Sequence, residues 1–313
     1  MTPTEDGYNH VMEELAPGVA FLPVSIANVY FLGATHGPWI LVDTGTPKQG
    51  AKIRAAATER FGANARPAAI VLTHGHLDHA GSAFELAQEW DVPIYAHPLE
   101  FPYLTGQEYY PPPDPTVGGA FAFVTRFFPP NGQDLRPHLL SLPPEGVVPD
   151  LPDWKWLPSP GHAPGHVALF RESDRVLLAG DALTTVNMDS LRDFLAKRQQ
   201  VSRPPDAITC DWGAARNSVE ALAALYPTVI GCGHGTPMSG PSIAAELTDF
   251  AQNFPVPTHG RYVNAPAIMD EDGIISLPPP APDLLPKRLA LGIILGALLV
   301  WAFVLARRAQ AQR

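Results

Sequence analysis

Three histidines and an aspartate crowd into six positions of the run Thr73-His74-Gly75-His76-Leu77-Asp78-His79-Ala80-Gly81. Imidazole nitrogen and carboxylate oxygen are ligands for Zn²⁺, and they also suit Fe or Mn. A single histidine is more often a packing residue than a ligand. Four ligand-type side chains placed directly after the apolar run 68–72 are hard to explain by packing. The chemistry to expect of such a cluster is binding of a divalent cation. Such a cation lowers the pKa of its bound water from about 15.7 to near 7 and stabilises developing negative charge, so no Ser or Cys nucleophile is needed.

The same local design recurs along the chain. Trp39 to Val42 is an apolar stretch that delivers Asp43 into Thr44-Gly45. Val176 to Ala179 runs into Gly180-Asp181, and Thr228 to Ile230 runs into Gly231-Cys232-Gly233-His234-Gly235. Ser159-Pro160-Gly161-His162-Ala163-Pro164-Gly165-His166 follows another short apolar segment. Each time a strand pattern ends in a glycine-rich turn that carries a ligand-type side chain. Glycine allows the sharp turns and close approaches such a site needs, and sites gather in loops at strand ends held by a rigid scaffold.

The elements that must position these residues follow from periodicity and breakers. Residues 18–43 read as two or three strands, 49–61 as a helix, 68–72 as a strand, 81–90 as a helix and 92–96 as a short strand. Strands resume at 155–159, 167–171 and 176–180, with helices at 188–199, 216–225 and 243–250. Between them, 106–153 holds eleven prolines and the aromatics Phe121, Phe123, Phe127 and Phe128. A loop of that length in a compact domain is functional or disordered. One reading is a lid over the site with an aromatic wall, and the other is a loop packed on the outside.

With His74, His76, Asp78, His79, His162, Asp181 and His234 in this order, residues 15–255 resemble the metallo-β-lactamase-fold hydrolases. The resemblance implies an α/β architecture, a four-layer αβ/βα sandwich, with a two-metal site between the sheets. By position, His74, His76 and His162 would hold the first metal, Asp78, His79 and His234 the second, and Asp181 would bridge them. Asp43 would orient ligands without binding metal, and His166 would be a donor behind the ligands or touch substrate rather than bind metal. A hydroxide bridging two zinc ions would then attack an ester, thioester or lactone carbonyl, with Asp78 taking a proton as the catalytic base. The alternative on the same fold is an iron enzyme that oxidises a persulfide or reduces oxygen, and a phosphodiesterase ranks below both. Asp181 stands where one β-lactamase subclass uses Cys. His76 stands where diiron reductases carry Glu. The segment Ala182-Leu183-Thr184-Thr185 lacks the tyrosine that acyl-homoserine-lactone lactonases place after the bridging aspartate.

Composition narrows the partners. The chain has 313 residues, 46% of them hydrophobic, enough for a substantial core. Of its 21 basic residues five lie in 287–313, which has no acid, so residues 1–286 carry 16 basic against 31 acidic side chains, a formal −15. Nucleic-acid binders usually present a basic face, so a small-molecule substrate is expected and a nuclease is not. Cys210 and Cys232 make no disulfide framework and read as reduced thiols. His10, His36, His97, His138 and His259 have no supporting spacing. Tyr103, Tyr109 and Tyr110 are either oxyanion donors or ordinary loop tyrosines.

Three segments follow: a catalytic domain at 1–258, a proline-rich linker at 259–286 and a transmembrane helix at 287–308. Leu289 to Ala306 is an 18-residue run without a charge, flanked by Lys287-Arg288 and Arg307-Arg308. As a helix it would span about 27 Å, close to the hydrocarbon thickness. The polar start of the chain has no signal-peptide pattern, so the expectation is a single-pass membrane anchor with the catalytic domain in the cytoplasm.

Overall fold

A computed structural model describes residues 12–127 and 133–284. The chain begins with strands β1 (Glu13–Ala16), β2 (Val19–Val24), β3 (Ala27–Leu32) and β4 (Ile40–Val42), followed by helix α1 (Gly50–Phe61). Then come β5 (Ala69–Val71), α2 (Leu77–Ala80), α3 (Ala83–Trp90), β6 (Ile94–Ala96), α4 (Phe101–Leu104), α5 (Gly119–Val124) and β7 (Leu139–Ser141). The strands β1 to β7 form one sheet in sequence order. It is antiparallel as far as β4 and parallel from β4 to β7.

A second sheet is built from β8 (Val147–Val148), β9 (Leu151–Pro158), β10 (Val167–Arg171), β11 (Val176–Leu178), β12 (Val229–Gly231) and β13 (Met238–Ser239), in the order β13-β12-β11-β10-β9-β8. Within it β11 and β12 are parallel. The helices of this half are α6 (Leu191–Leu195), α7 (Trp212–Ala223) and α8 (Ile243–Gln252), and a hairpin of β14 (Ile268–Asp270) and β15 (Gly273–Ser276) follows.

The two-residue period of a strand decides which layer each side chain enters. In β3, Val29 and Phe31 join the core under α1 and α3, while Tyr30 and Leu32 face the other way. In β10, Val167 and Leu169 meet Tyr30 and Leu32 in the core between the sheets, and Ala168 and Phe170 pack with α7 and α8. Helix spacing supplies the outer layers. Ile53, Ala56 and Ala57 of α1 and Ala83, Leu86, Ala87 and Trp90 of α3 recur every three or four positions and are buried. Trp212, Ala215, Val219 and Leu222 of α7 do the same on the far side, and Asp211 caps that helix by accepting from Ala214 N–H. The result is helices, sheet, sheet, helices, the αβ/βα order expected.

Several boundaries differ from the sequence reading. The helix expected at 188–199 shrinks to α6, because Ser190 caps its start and no residue of the helix is buried. The proline-rich stretch 106–153 is not structureless. It contains α5, edge strand β7 paired with β6, and β8 paired with β9. Phe121 packs beside Val117, Ala122 and Ala207, whereas Phe123 and Phe127 are exposed.

The linker expected from 259 also starts later. The described residues up to Pro279 form one compact unit. Tyr262 and Ala267 are buried in the core shared with α7 and α8, and the Tyr262 hydroxyl donates to the Pro112 carbonyl. Prolines do not prevent packing where apolar side chains recur between them. The membrane span expected at 287–308 lies outside the described residues. Among the described residues no helix is long and apolar enough to cross a membrane.

Candidate metal centre

The parallel pairs β4–β5 and β11–β12 deliver their following loops to one edge of the sandwich, with Val42 beside Val71 and Leu178 beside Gly231. Asp43 and the 74–79 segment leave the first pair, and Asp181 and His234 leave the second. The loop between β9 and β10 brings His162 and His166. The two sheets are tied across this edge. Asn28 donates through Nδ2 to the carbonyls of Cys232 (3.0 Å) and Gly235 (2.7 Å), and Tyr30 Oη donates to the Cys232 carbonyl at 2.6 Å.

All seven residues singled out as ligands meet there. His74, His76 and His162 form one group, His74, His79 and Asp181 a second, and Asp78, His79 and His234 a third, each with ligand atoms within 4.8 Å of one another. His76 Nδ1 lies 2.9 Å from His74 Nε2 and 2.9 Å from His162 Nε2. Asp181 Oδ2 sits between the groups, 3.6 Å from His162 Nε2, 3.5 Å from His79 Nε2 and 3.1 Å from His234 Nε2. Asp78 Oδ2 is 3.4 Å from His234 Nε2. Six of the seven are buried, and Asp78 is partly open to solvent.

The outward-facing ring nitrogens fix the tautomers. His79 Nδ1 donates to Asp43 Oδ2 at 2.8 Å, and His234 Nδ1 donates to the Ile26 carbonyl at 2.8 Å. The Thr73 hydroxyl donates to Asp43 (2.9 Å) and so accepts from His74 Nδ1 (3.1 Å). Likewise the Thr209 hydroxyl donates to the Pro205 carbonyl and accepts from His162 Nδ1 at 3.4 Å. Each of these four rings therefore turns its Nε2 inward. A backing acceptor of this kind is what a metal-ligating imidazole needs. Asp43 serves one histidine in each triad, directly for His79 and through Thr73 for His74. Its Oδ1 also accepts the Thr73 N–H at 2.8 Å, and Asp43 belongs to none of the three ligand groups. It holds φ of 59°, a left-handed conformation that Asp tolerates better than most residues. His166 is occupied at both nitrogens, Nε2 accepting the Asp181 N–H at 2.8 Å and Nδ1 facing Ser159 Oγ at 2.8 Å. It meets Asp181 from behind as an acceptor of the backbone N–H, where the sequence reading expected a donor.

The electrostatics divide the centre in two. Burial, with repulsion from neighbouring imidazoles, holds His74 and His162 well below the usual histidine range, and burial brings His76 down to about 4. Three neutral imidazoles thus converge, with His76 Nδ1 at hydrogen-bond distance from both His74 Nε2 and His162 Nε2. One proton cannot satisfy all three, but one cation can. Burial also opposes charge on His79 and His234, yet there the carboxylates prevail. Asp181, Asp43 and Asp78 raise His79 well above its ordinary value, and Asp181 and Asp78 bring His234 up to about 10. Burial likewise opposes ionisation of Asp78 and Asp181, and the two histidine cations hold both carboxyls below the usual range. Metal-free, this triad balances its carboxylates with protons on the nitrogens a cation would use. The buried Asp181 Oδ1 and His79 Nε2 have no hydrogen-bond partner. The donor set therefore fits two divalent ions.

Residues outside the expected set also shape the centre. Glu100, fully buried, accepts the Gly75 N–H at 2.9 Å and the Gly165 N–H at 2.7 Å. Tyr110 lies over His76, ring centroids 4.3 Å apart, and its hydroxyl accepts the Gly75 N–H at 2.8 Å while donating to Glu100. That hydroxyl is occupied and cannot serve as an oxyanion donor. Tyr109 is exposed. The trace of Glu100 in the sequence is one acid inside the apolar run Pro98-Leu99-Glu100-Phe101-Pro102-Tyr103-Leu104. Cys232 is buried and belongs to none of the three ligand groups.

An αβ/βα sandwich with a His/Asp metal-binding cluster at one edge between its sheets defines a class of metallo-hydrolases. The family profile of the metallo-beta-lactamase superfamily matches residues 22–234, and the chain belongs to that superfamily. It is 43% identical over 241 residues to the probable metallo-hydrolase YflN of Bacillus subtilis (strain 168), covering 76% of this chain and 91% of that protein. Over 114 residues it is 28% identical to the hydroxyacylglutathione hydrolase GloC of Haemophilus influenzae, covering 36% of this chain and 49% of GloC. Among solved structures, TTHA1623 in a di-iron-bound form superposes with a TM-score of 0.50 at 26% identity, covering 69% of this chain and 93% of that one.

Proposed function

We propose that the protein is a two-metal hydrolase of ester-type acyl bonds: esters, thioesters or lactones of small molecules. The observation that carries this reading is Asp181 Oδ2 standing within 3.6 Å of His162, His79 and His234, between two ligand groups in which four of the five rings are backed from outside. His74, His76 and His162 would hold one ion, Asp78, His79 and His234 the other, and Asp181 both. Bound divalent ions supply Lewis acidity and water of lowered pKa at neutral pH.

The remaining work falls to the chain. The buried imidazoles and their backing groups keep the ligands from rearranging. Asp78, the ligand-type residue most open to solvent, holds the proton released as water adds to the acyl carbon. The name of GloC specifies hydrolysis of an acylated glutathione, which supports an acyl substrate. The acidic balance of residues 1–286 weighs against polyanionic phosphodiesters.

Zinc is the metal proposed. The di-iron form of TTHA1623 keeps a second reading in view, an iron enzyme that oxidises a persulfide or reduces oxygen. The test combines metal quantitation on protein from its native source with a panel of p-nitrophenyl esters, thioesters, lactones and bis-p-nitrophenyl phosphate. Two colourless ions per chain with chelator-sensitive acyl hydrolysis are expected. A coloured iron protein inert on every acyl substrate would favour the second reading.

A further inference from the structure

We propose that Glu100 is a positioning residue that preforms the three-histidine half of the centre, by clamping two ligand loops onto one carboxylate. The inference rests on the two-ion reading above and assigns a role outside the ligand set. Gly75 lies between His74 and His76, and Gly165 lies between His162 and His166. These loops belong to different sheets, and the backbone N–H of each glycine points at Glu100, Oε2 taking Gly75 at 2.9 Å and Oε1 taking Gly165 at 2.7 Å. One rigid group thereby sets the separation of His76 from His162, which is 2.9 Å between Nδ1 and Nε2.

Both glycines are shaped to this contact. A Cβ at Gly75 would lie 2.7 Å from the Tyr110 hydroxyl and 2.9 Å from Leu104. A Cβ at Gly165 would lie 2.9 Å from Glu100 Cγ. Tyr110 completes the clamp. It donates to Glu100, accepts from Gly75, covers His76, and stacks on Tyr103 with centroids 4.1 Å apart. The Asp78–His79–His234 triad does not hang from this clamp. Its rings are backed by Asp43 and the Ile26 carbonyl. Losing Glu100 should therefore loosen one ion and spare the other.

The experiment uses the full chain and its variants Glu100→Ala and Glu100→Gln, with Zn²⁺ titrated against a chromophoric chelator, Co²⁺ as a visible probe, and thermal melting of the metal-free proteins. Wild type should take two equivalents. Glu100→Ala should keep one and bind the second about 10–100-fold more weakly, the range typical when an outer partner of a metal ligand is removed. Glu100→Gln, which retains one acceptor, should fall between. The Co²⁺ spectrum of Glu100→Ala at one equivalent should match that of His162→Ala and not that of His234→Ala. Excess Zn²⁺ should restore its turnover.

Unchanged affinity at both sites would overturn the proposal. So would equal weakening of both with a lowered metal-free melting temperature, or failure of both variants to fold, since each outcome assigns Glu100 to general stability. A wild type that binds fewer than two ions would instead sink the two-metal reading, which the same titration reports separately.

Discussion

Asp78 differs from the other six ligand-type side chains in having one edge in solvent, its side chain 23% exposed where that of Asp181 is 1% exposed. A ligand that must also move a proton needs that access. Asp78→Asn keeps the shape and an oxygen but removes the base. Turnover should fall on the order of 10²–10⁴-fold, the usual worth of a positioned acid or base. Metal content measured on the same sample decides the matter: a fully metallated variant with wild-type kcat would remove Asp78 from the mechanism.

A second residue-scale expectation concerns Asp189, away from the ligand set. Burial first, then the Asp206 carboxylate, bring it up to about 7, while Arg203 pairs with Asp206. Between about pH 4 and 7 the folded protein keeps a proton that the unfolded chain has released. This contribution to stability is full below pH 4 and is lost as pH rises through 7. A displacement of that size corresponds to at most ~4 kcal/mol. Asp189→Asn cannot ionise, so its denaturation midpoint should exceed that of wild type at pH 8 and converge with it toward pH 4. Parallel curves for the two proteins across this range would show that Asp189 does not carry the effect.

Elements impose their own tolerances. The turn after β12 passes so close to the centre that a Cβ on Gly233 would collide with Asp181 Oδ1 and lie 2.5 Å from His79 Cε1. Gly233→Ala should push the Asp181 carboxylate and the His79 imidazole out of register. Displacements near 1 Å cost about 10²-fold in rate, so kcat should drop by that order while the circular dichroism stays wild-type. An unimpaired Gly233→Ala enzyme would mean that the two residues have room to retreat.

The same scale shows what could be read in advance. The ligand ladder was legible because each apolar strand ends in its own motif, and because His74 to His79 are contiguous. Edge strands β8 and β13 were not, since two-residue strands owe their existence to a neighbour's hydrogen bonds and carry no period. Helix α6 looked longer than it is, because helical composition without a buried face does not propagate. Glu100 was hidden for a different reason. Its partners, Gly75 and Gly165, lie 25 and 65 positions away and are recognised through backbone N–H groups that every residue type but proline offers.

At the scale of the whole molecule, proline content after 258 does not by itself end the packed body. The compact unit runs to Pro279 because Tyr262 and Ala267 find a core to enter. Beyond it, the uncharged 18-residue run with basic flanks is proposed as a bilayer anchor on sequence grounds. Full-length protein should sediment with membranes and resist alkaline carbonate, whereas a chain ended after Pro279 should stay in the supernatant with its activity on p-nitrophenyl acetate intact. Release of the full-length protein by carbonate would rule the anchor out.

The bonds from Asn28 and Tyr30 to the Cys232 and Gly235 carbonyls have a consequence for biosynthesis. The inner face of the first sheet is covered by Trp154, Val167, Leu169 and Leu178, more than a hundred positions later, and these bonds close the edge only after residue 235 is in place. A chain emerging from the ribosome therefore carries Val19, Phe21 and Leu32 uncovered until most of the protein has been made. Such nascent chains are natural clients for chaperones, and slow translation before codon 235 should lower the yield of folded enzyme.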